Sequence, residues 1–291
     1  HSRRVHTQGT KAQVRFWGAA HPQGAMTIFV ESTDGTCLAC DVQGEGISVV
    51  LAHGFLLDRS IYVRVTGALV ALGYRVISFD QRTHGQSHGS PAVFDSLAVA
   101  RDYRTLLEHF DVRDGILVGH SMGGFYGVVF AIEEPECART RLSRFVLLGG
   151  NAGAVARGSL PNRLQIPLLA SGILPPLWRI DAVGRAFARQ VFGPGCNPAD
   201  VEATRRMLMR QDVPRTLPMM RAMCSESYYE RLGQISMETR VLCGDHDHTC
   251  PPWHSERLGQ AIPRATNTWL KGKGHMLSFE APEAVVEAIT A

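Results

Sequence analysis

The stretch Ile116-Leu-Val-Gly-His-Ser-Met-Gly-Gly-Phe-Tyr-Gly127 constrains this chain more than any other. A short apolar run enters a serine that has Gly119 two positions before it and Gly123 two positions after it, and an apolar helical pattern follows as far as Pro135. A glycine on each side is what a very sharp strand-to-helix turn requires, and such a turn strains the serine backbone and lifts Ser121 Oγ clear of a sheet. Gly-x-Ser-x-Gly is a short pattern in a chain with 29 glycines, so its context has to carry the argument. That context is a β-type run, a turn and a helix, in that order.

The same alternation recurs on both sides. Residues 25–46 read as two strands joined at Asp34-Gly35, with a second turn at Gly44 to Gly46. The runs Ile47–Phe55, Tyr74–Asp80, Arg144–Gly150, Thr239–Asp245 and Thr266–Gly272 read as further strands. Helical patterns over 59–73, 95–110, 253–261 and 282–289 separate them. Apolar strands alternating with helices imply an α/β fold, a mostly parallel twisted sheet flanked by helices. Between Asn151 and about Ser236 no strand-like run occurs, and eight prolines separate short helical pieces. The expected organisation is therefore an N-terminal arm over 1–24, an α/β core made of 25–150 and 237–291, and an inserted helical cap over 151–236.

A serine hydroxyl needs a base, and the base needs an orienting acid. Functional groups of open α/β sheets gather at the carboxyl ends of strands. Two late strands end in such groups: Asp245-His-Asp-His248 after one, and Gly274-His275-Met276 after the next. This gives the order Ser121, acid, His275. Asp247 is the better acid, because Asp245 directly follows Gly244 and serves a turn. Backbone N–H groups of Phe55, after His53-Gly54, and of Met122, at the start of the helix, are the expected oxyanion donors. His53 is expected to brace its loop and, with Leu56, Trp178 and Met220, to border the substrate pocket. The apolar cluster around Ile166–Trp178 and five methionines over 207–223 mostly glue the insert to the sheet, with a few forming a pocket roof.

The segments His53-Gly-Phe55, Ser78-Phe-Asp-Gln-Arg-Thr-His-Gly-Gln-Ser87, Val118–Gly124, Gly244-Asp-His-Asp247 and Gly272-Lys-Gly-His-Met276 together resemble the serine esterase and lipase branch of the α/β-hydrolase superfamily. The likeness runs from about residue 25 to the C-terminus, excepting the insert. It implies Ser121 as nucleophile, Asp247 as acid, His275 as base, and Phe55 and Met122 as oxyanion donors. A weaker likeness to monoacylglycerol lipases rests on His84–Ser87 and Asp247–Cys250 wording, with its Gln86 and Thr249. One departure stands at Thr83, where the family commonly has glycine: either the loop does without a positive φ there or it tolerates strain.

The expected activity is hydrolysis of carboxylic esters with apolar groups through an acyl-enzyme, with a small-molecule ester as the partner and no cofactor. Transfer of the acyl group to another alcohol or thiol, perhydrolysis with the same triad, and a slow-turnover ligand receptor are the alternatives. Epoxide hydrolases and dehalogenases of the superfamily attack with an aspartate, which position 121 is not. A net charge of +3, with scattered basic residues, argues against nucleic acid as a partner. No window of 18 uninterrupted apolar residues offers a stable membrane insertion. Seven cysteines without regular spacing suit a reducing, cytoplasmic setting, although the chain starts at His1 rather than Met and a processed, secreted form stays open. Cys37 and Cys40 have zinc-knuckle spacing but lack a second ligand pair, and four consecutive residues at 245–248 do not converge on one ion, so no metal is expected. Homo-oligomerisation stays open as well.

Overall fold

A computed structural model describes residues 27–89, 94–157 and 160–291. The expected arm over 1–24 lies outside the described residues. The strands are β1 (Thr27–Glu31), β2 (Cys37–Gln43), β3 (Ser48–Ala52), β4 (Arg75–Phe79), β5 (Gly115–His120), β6 (Leu142–Leu148), β7 (Glu238–Gly244) and β8 (Ala265–Leu270). They form one sheet in the order β1-β2-β4-β3-β5-β6-β7-β8. The β1–β2 hairpin joins antiparallel and every pairing from β4 onward is parallel.

The helices are α1 (Val63–Ala71), α2 (Ser96–His109), α3 (Met122–Glu133), α4 (Pro135–Arg141), α5 (Leu160–Ala170), α6 (Leu174–Trp178), α7 (Asp181–Arg189), α8 (Pro198–Arg210), α9 (Val213–Ser225), α10 (Trp253–Ala261), α11 (Leu277–Glu280) and α12 (Pro282–Thr290). Strand parity sorts the core into two layers. Val49 and Leu51 of β3 pack with Ile61, Val65 and Leu69 around α1 and with Val285 and Ile289 of α12. Val50 and Ala52 face the other way, onto Tyr103 and Leu106 of α2 and Phe130 of α3. A buried salt bridge ties α2 to the loop after β4, with Arg82 Nε and Nη2 each 2.7 Å from an Asp102 oxygen.

Two short helices were not legible as separate elements. Pro135 reads as a stop, yet it occupies the first turn of α4, where its missing N–H costs nothing. α11 is a single turn following His275. β8 is a polar, exposed edge strand, unlike the apolar strands between. Between β6 and β7 lie α5 to α9 and, among the described residues, no strand.

Candidate active site

Ser121 sits between β5 and α3 with φ 52 and ψ −112, a region costly for any residue with a Cβ. Its N–H donates to the Leu148 carbonyl at 3.0 Å, and its own carbonyl accepts from Phe125 N at 3.0 Å, so the turn is fixed from both sides. The neighbouring glycines are required by space rather than by φ. A Cβ on Gly119 would stand 2.6 Å from the Gly124 backbone, and one on Gly123 would stand 2.2 Å from the Ala52 carbonyl oxygen.

The loops after β7 and β8 meet beside this turn. Asp247 Oδ2 accepts from His275 Nδ1 at 2.7 Å, while Oδ1 accepts the backbone N–H groups of Thr249 at 2.9 Å and Cys250 at 2.8 Å. Donation from Nδ1 leaves Nε2 as the basic nitrogen of the imidazole. Asp245 is turned away and exposed, accepting from Gly272 N at 2.6 Å, so it links the two loops and does not touch the imidazole. The base loop is tied down by His275 N donating to Val191 O at 2.8 Å and by His120 Nε2 donating to His275 O at 2.9 Å. Gly149, at φ 51 just past β6, packs under the pair: an added Cβ would lie 2.9 Å from both Asp247 Oδ2 and His275 Nδ1.

Phe55 lies in the loop after β3 and Met122 is the first residue of α3. Among the described residues neither N–H has a protein acceptor. The next residue, Leu56, is held at φ 57 with its N–H on His84 Nε2 at 3.2 Å. Burial, reinforced by His53, pushes the His84 imidazole down to about 3, which keeps this acceptor nitrogen unprotonated. Thr83 adopts φ 67, so this loop tolerates a strained backbone where the family commonly has glycine.

A cavity of about 680 Å³ opens over Ser121 and His275. Phe55, Leu56, Leu168, Leu208, Met220 and Met223 give its apolar character, and among the described residues no Lys, Arg, Asp or Glu lines it. Two expected pocket residues are corrected. His53 is fully buried behind the loop: its Nδ1 donates to Gly54 O at 2.7 Å, and its Nε2 accepts Gln81 N at 3.0 Å. Trp178 is turned into the helical layer, packed on Phe187 with ring centroids 5.3 Å apart, because α6 has only one inward face and the indole fills it. Neither lines the cavity.

The alternation, the strained serine and the Asp–His pair are all features of one family, and its sequence pattern, the Alpha/beta hydrolase family, matches residues 49–288. The chain belongs to the α/β-hydrolase family. Within that family, 30% identity over 257 residues links it to the 2-hydroxy-6-oxononadienedioate/2-hydroxy-6-oxononatrienedioate hydrolase of Paraburkholderia xenovorans (strain LB400), covering 82% of this chain and 84% of that protein. A non-heme chloroperoxidase of Kitasatospora aureofaciens is 28% identical, over 81% of this chain and 87% of its own. The α/β-hydrolase fold is matched by an esterase from Exiguobacterium antarcticum with TM-score 0.79 at 20% identity, over 90% of this chain and 97% of that one. A thermophilic esterase from Thermogutta terrifontis matches with TM-score 0.75 at 25% identity, over 91% and 97%. Family membership supports hydrolase activity.

Sequence reasoning missed three residues around this candidate site. Gly149 had a signal, a Gly-Gly pair ending an apolar strand. His120 lies inside the serine motif, but its bond to the His275 carbonyl spans 155 residues. Cys250, also lining the cavity, receives the Asn151 side-chain amide at 3.5 Å across 99 residues. Cys37 and Cys40 are three positions apart on β2 and so point to opposite faces.

Proposed function

We propose that the protein is a serine hydrolase of carboxylic esters with apolar groups, acting through an acyl-enzyme on Ser121. The observation that carries this reading is the 2.7 Å bond from buried Asp247 to His275, an imidazole that lines the same cavity as a serine strained out of its sheet. Ser121 Oγ attacks the ester carbonyl carbon as His275 Nε2 takes its proton. The oxyanion accepts hydrogen bonds from the Phe55 and Met122 N–H groups, each worth about 3 kcal/mol in the transition state. The intermediate collapses, the alcohol leaves with the proton from His275, and the acyl group stays on Ser121. Water then attacks the acyl carbon, giving its proton to His275, and the second collapse returns that proton to Ser121 and frees the acid. Asp247 holds the tautomer and stabilises the imidazolium throughout.

The cavity lining supports neutral, apolar acyl groups. The Paraburkholderia relative is named for a substrate that is a dioate, and two carboxylates taken out of water need cationic partners. Among the described residues no lining residue supplies one. Residues 151–236 act in this reading as a cap whose Leu168, Met220 and Met223 mould around a flexible chain. A series of p-nitrophenyl esters tests it: multiple turnovers with a maximum at short to medium acyl length are expected. A single burst followed by a stall would identify a receptor, and a preference for charged acyl groups would end the apolar assignment. The likeness to a non-heme chloroperoxidase favours one further reading, in which hydrogen peroxide replaces water at the acyl-enzyme and a peracid leaves. Peracid formation in the same assay with peroxide added measures it.

A further inference from the structure

Helices α5, α6 and α7 each bury one side, and large apolar side chains stand exposed on them or at their N-caps. Leu169, Trp178 and Ala188 face inward. Outward stand Leu164 and Leu168, Ile173 and Leu177, and Ile180 and Val183, spaced three or four residues apart so that each pair shares a face. These six are 36–59% exposed, and they are six of only eleven large exposed hydrophobic side chains among the described residues. Single exposed apolar residues need no explanation, but a concentration within twenty positions of one chain segment does. Leu164 and Leu168 also line the cavity over Ser121, so the exposed apolar residues of α5 reach that cavity.

The charge of this segment is as uneven as its hydropathy. Residues 151–190 hold five arginines against the single acid Asp181, whereas the whole chain carries only +3. Arg185 pairs with Asp181 at 3.5 Å. Arg157, Arg163, Arg179 and Arg189 are exposed and, among the described residues, meet no acidic side chain. Arg163 and Arg179 directly adjoin Leu164 and Ile180 in the chain. An apolar surface edged by unneutralised cations matches an anionic lipid layer, which offers acyl chains beneath negative headgroups. It does not match a second copy of itself, because a twofold contact sets like patches together and would oppose arginine to arginine.

We propose that the outer face of α5–α7 docks this protein peripherally on anionic lipid surfaces, with the cavity mouth at the acyl level. No helix among the described residues is long and apolar enough to cross a membrane, so the contact is to one leaflet. This goes beyond the ester-hydrolase reading and is tested without turnover. The full chain is sedimented with vesicles of phosphatidylcholine alone and of phosphatidylcholine with phosphatidylglycerol. Binding to the anionic vesicles, weakening with salt, is expected for the wild type and equally for Ser121→Ala. The triple variant Ile173→Ser, Leu177→Ser, Ile180→Ser, none of whose positions lines the cavity, should lower partitioning by at least about tenfold. Its kcat/KM on a soluble short-chain ester should stay unchanged, and that activity also confirms folding. Arg163→Gln with Arg179→Gln should remove the preference for anionic vesicles. Absence of wild-type binding, or equal binding by the triple variant, overturns the proposal. So does a dimer that the triple variant dissociates without any vesicle binding. Vesicle binding by a protein that cleaves no ester would instead sink the hydrolase reading alone.

Discussion

On the sheet side of the cavity, Gly119, Gly123 and Gly149 each stand where an added Cβ would come within 3 Å of backbone or of the Asp247–His275 pair. On the helical side, Leu168, Met220 and Met223 meet the cavity as flexible side chains, and neighbouring Ile173 and Leu177 touch solvent. The first region permits almost no variation in position, while the second permits much. Chemistry that depends on a nucleophile, a base and two donors held to fractions of an ångström belongs on the first. Selection among acyl groups, where one methylene is worth only about 1–3 kcal/mol, suits the second.

The sharpest way to break this contrast is to remove the attacking atom. Ser121→Ala should lower kcat/KM on a short p-nitrophenyl ester by roughly 10⁶-fold with an unchanged circular dichroism spectrum. Near wild-type turnover would leave the strained turn without a catalytic purpose. Asp247→Asn should cost about 10⁴-fold, since an amide cannot hold the imidazole tautomer or stabilise its cation. Asp245→Asn, which alters a loop contact only, should cost less than about tenfold, and a reversed ranking would move the acid to Asp245.

Gly149→Ala tests whether the tight region acts through position alone. It adds one carbon at φ 51, 2.9 Å from both Asp247 Oδ2 and His275 Nδ1. We expect about a hundredfold loss in kcat with KM little changed, consistent with a displacement near 1 Å. Wild-type kcat would show that the pair has room to shift.

Acid should loosen the same region. Burial holds His53 and His120 below their ordinary range and takes His84 down to about 3, and burial also lowers His254 to about 4. A histidine with a depressed folded pKa binds more protons when unfolded, so its stabilisation is full above the unfolded value of about 6.5 and is lost as pH falls toward the folded one. The melting temperature should be flat from pH 8 to about 6.5 and decline steadily to pH 4. A flat profile throughout would mean that these imidazoles reach water in the folded state.

The smallest effects separate two residues of the helical layer. Trp178→Ala empties an inward-facing site and should cost about 3–5 kcal/mol of stability, read from denaturant unfolding, with acyl-length preference unaltered. Met220→Ala enlarges the cavity and should shift the best acyl length, changing kcat/KM ratios about fivefold while sparing the shortest esters. If both change preference equally, Trp178 reaches the ligand after all.

Much of this molecule is written locally. Strand and helix periods, the Asp34-Gly35 hairpin and the serine turn depend on neighbours within a few residues, so the sheet and the position of Ser121 follow from residue order. Asp245 and Asp247 are set apart by their surroundings, since only Asp247 is buried and bonded to His275, 28 residues away. Other features join distant segments through side-chain direction, which a linear pattern does not encode. Trp178 looked like a pocket residue by hydrophobicity, and the single inward face of a five-residue helix turned it into packing. His120 meets the loop of His275 from 155 residues away, and Gly149 lies under a bond formed by two other strands' loops. The sequence by itself determined which chemical groups are present and which strand ends carry them, because backbone period and turn chemistry are short-range. Only the tertiary structure decided which of them share a cavity, which glycines must stay small, and that one helical face is left apolar and basic, because those outcomes depend on close approach between segments the chain keeps far apart.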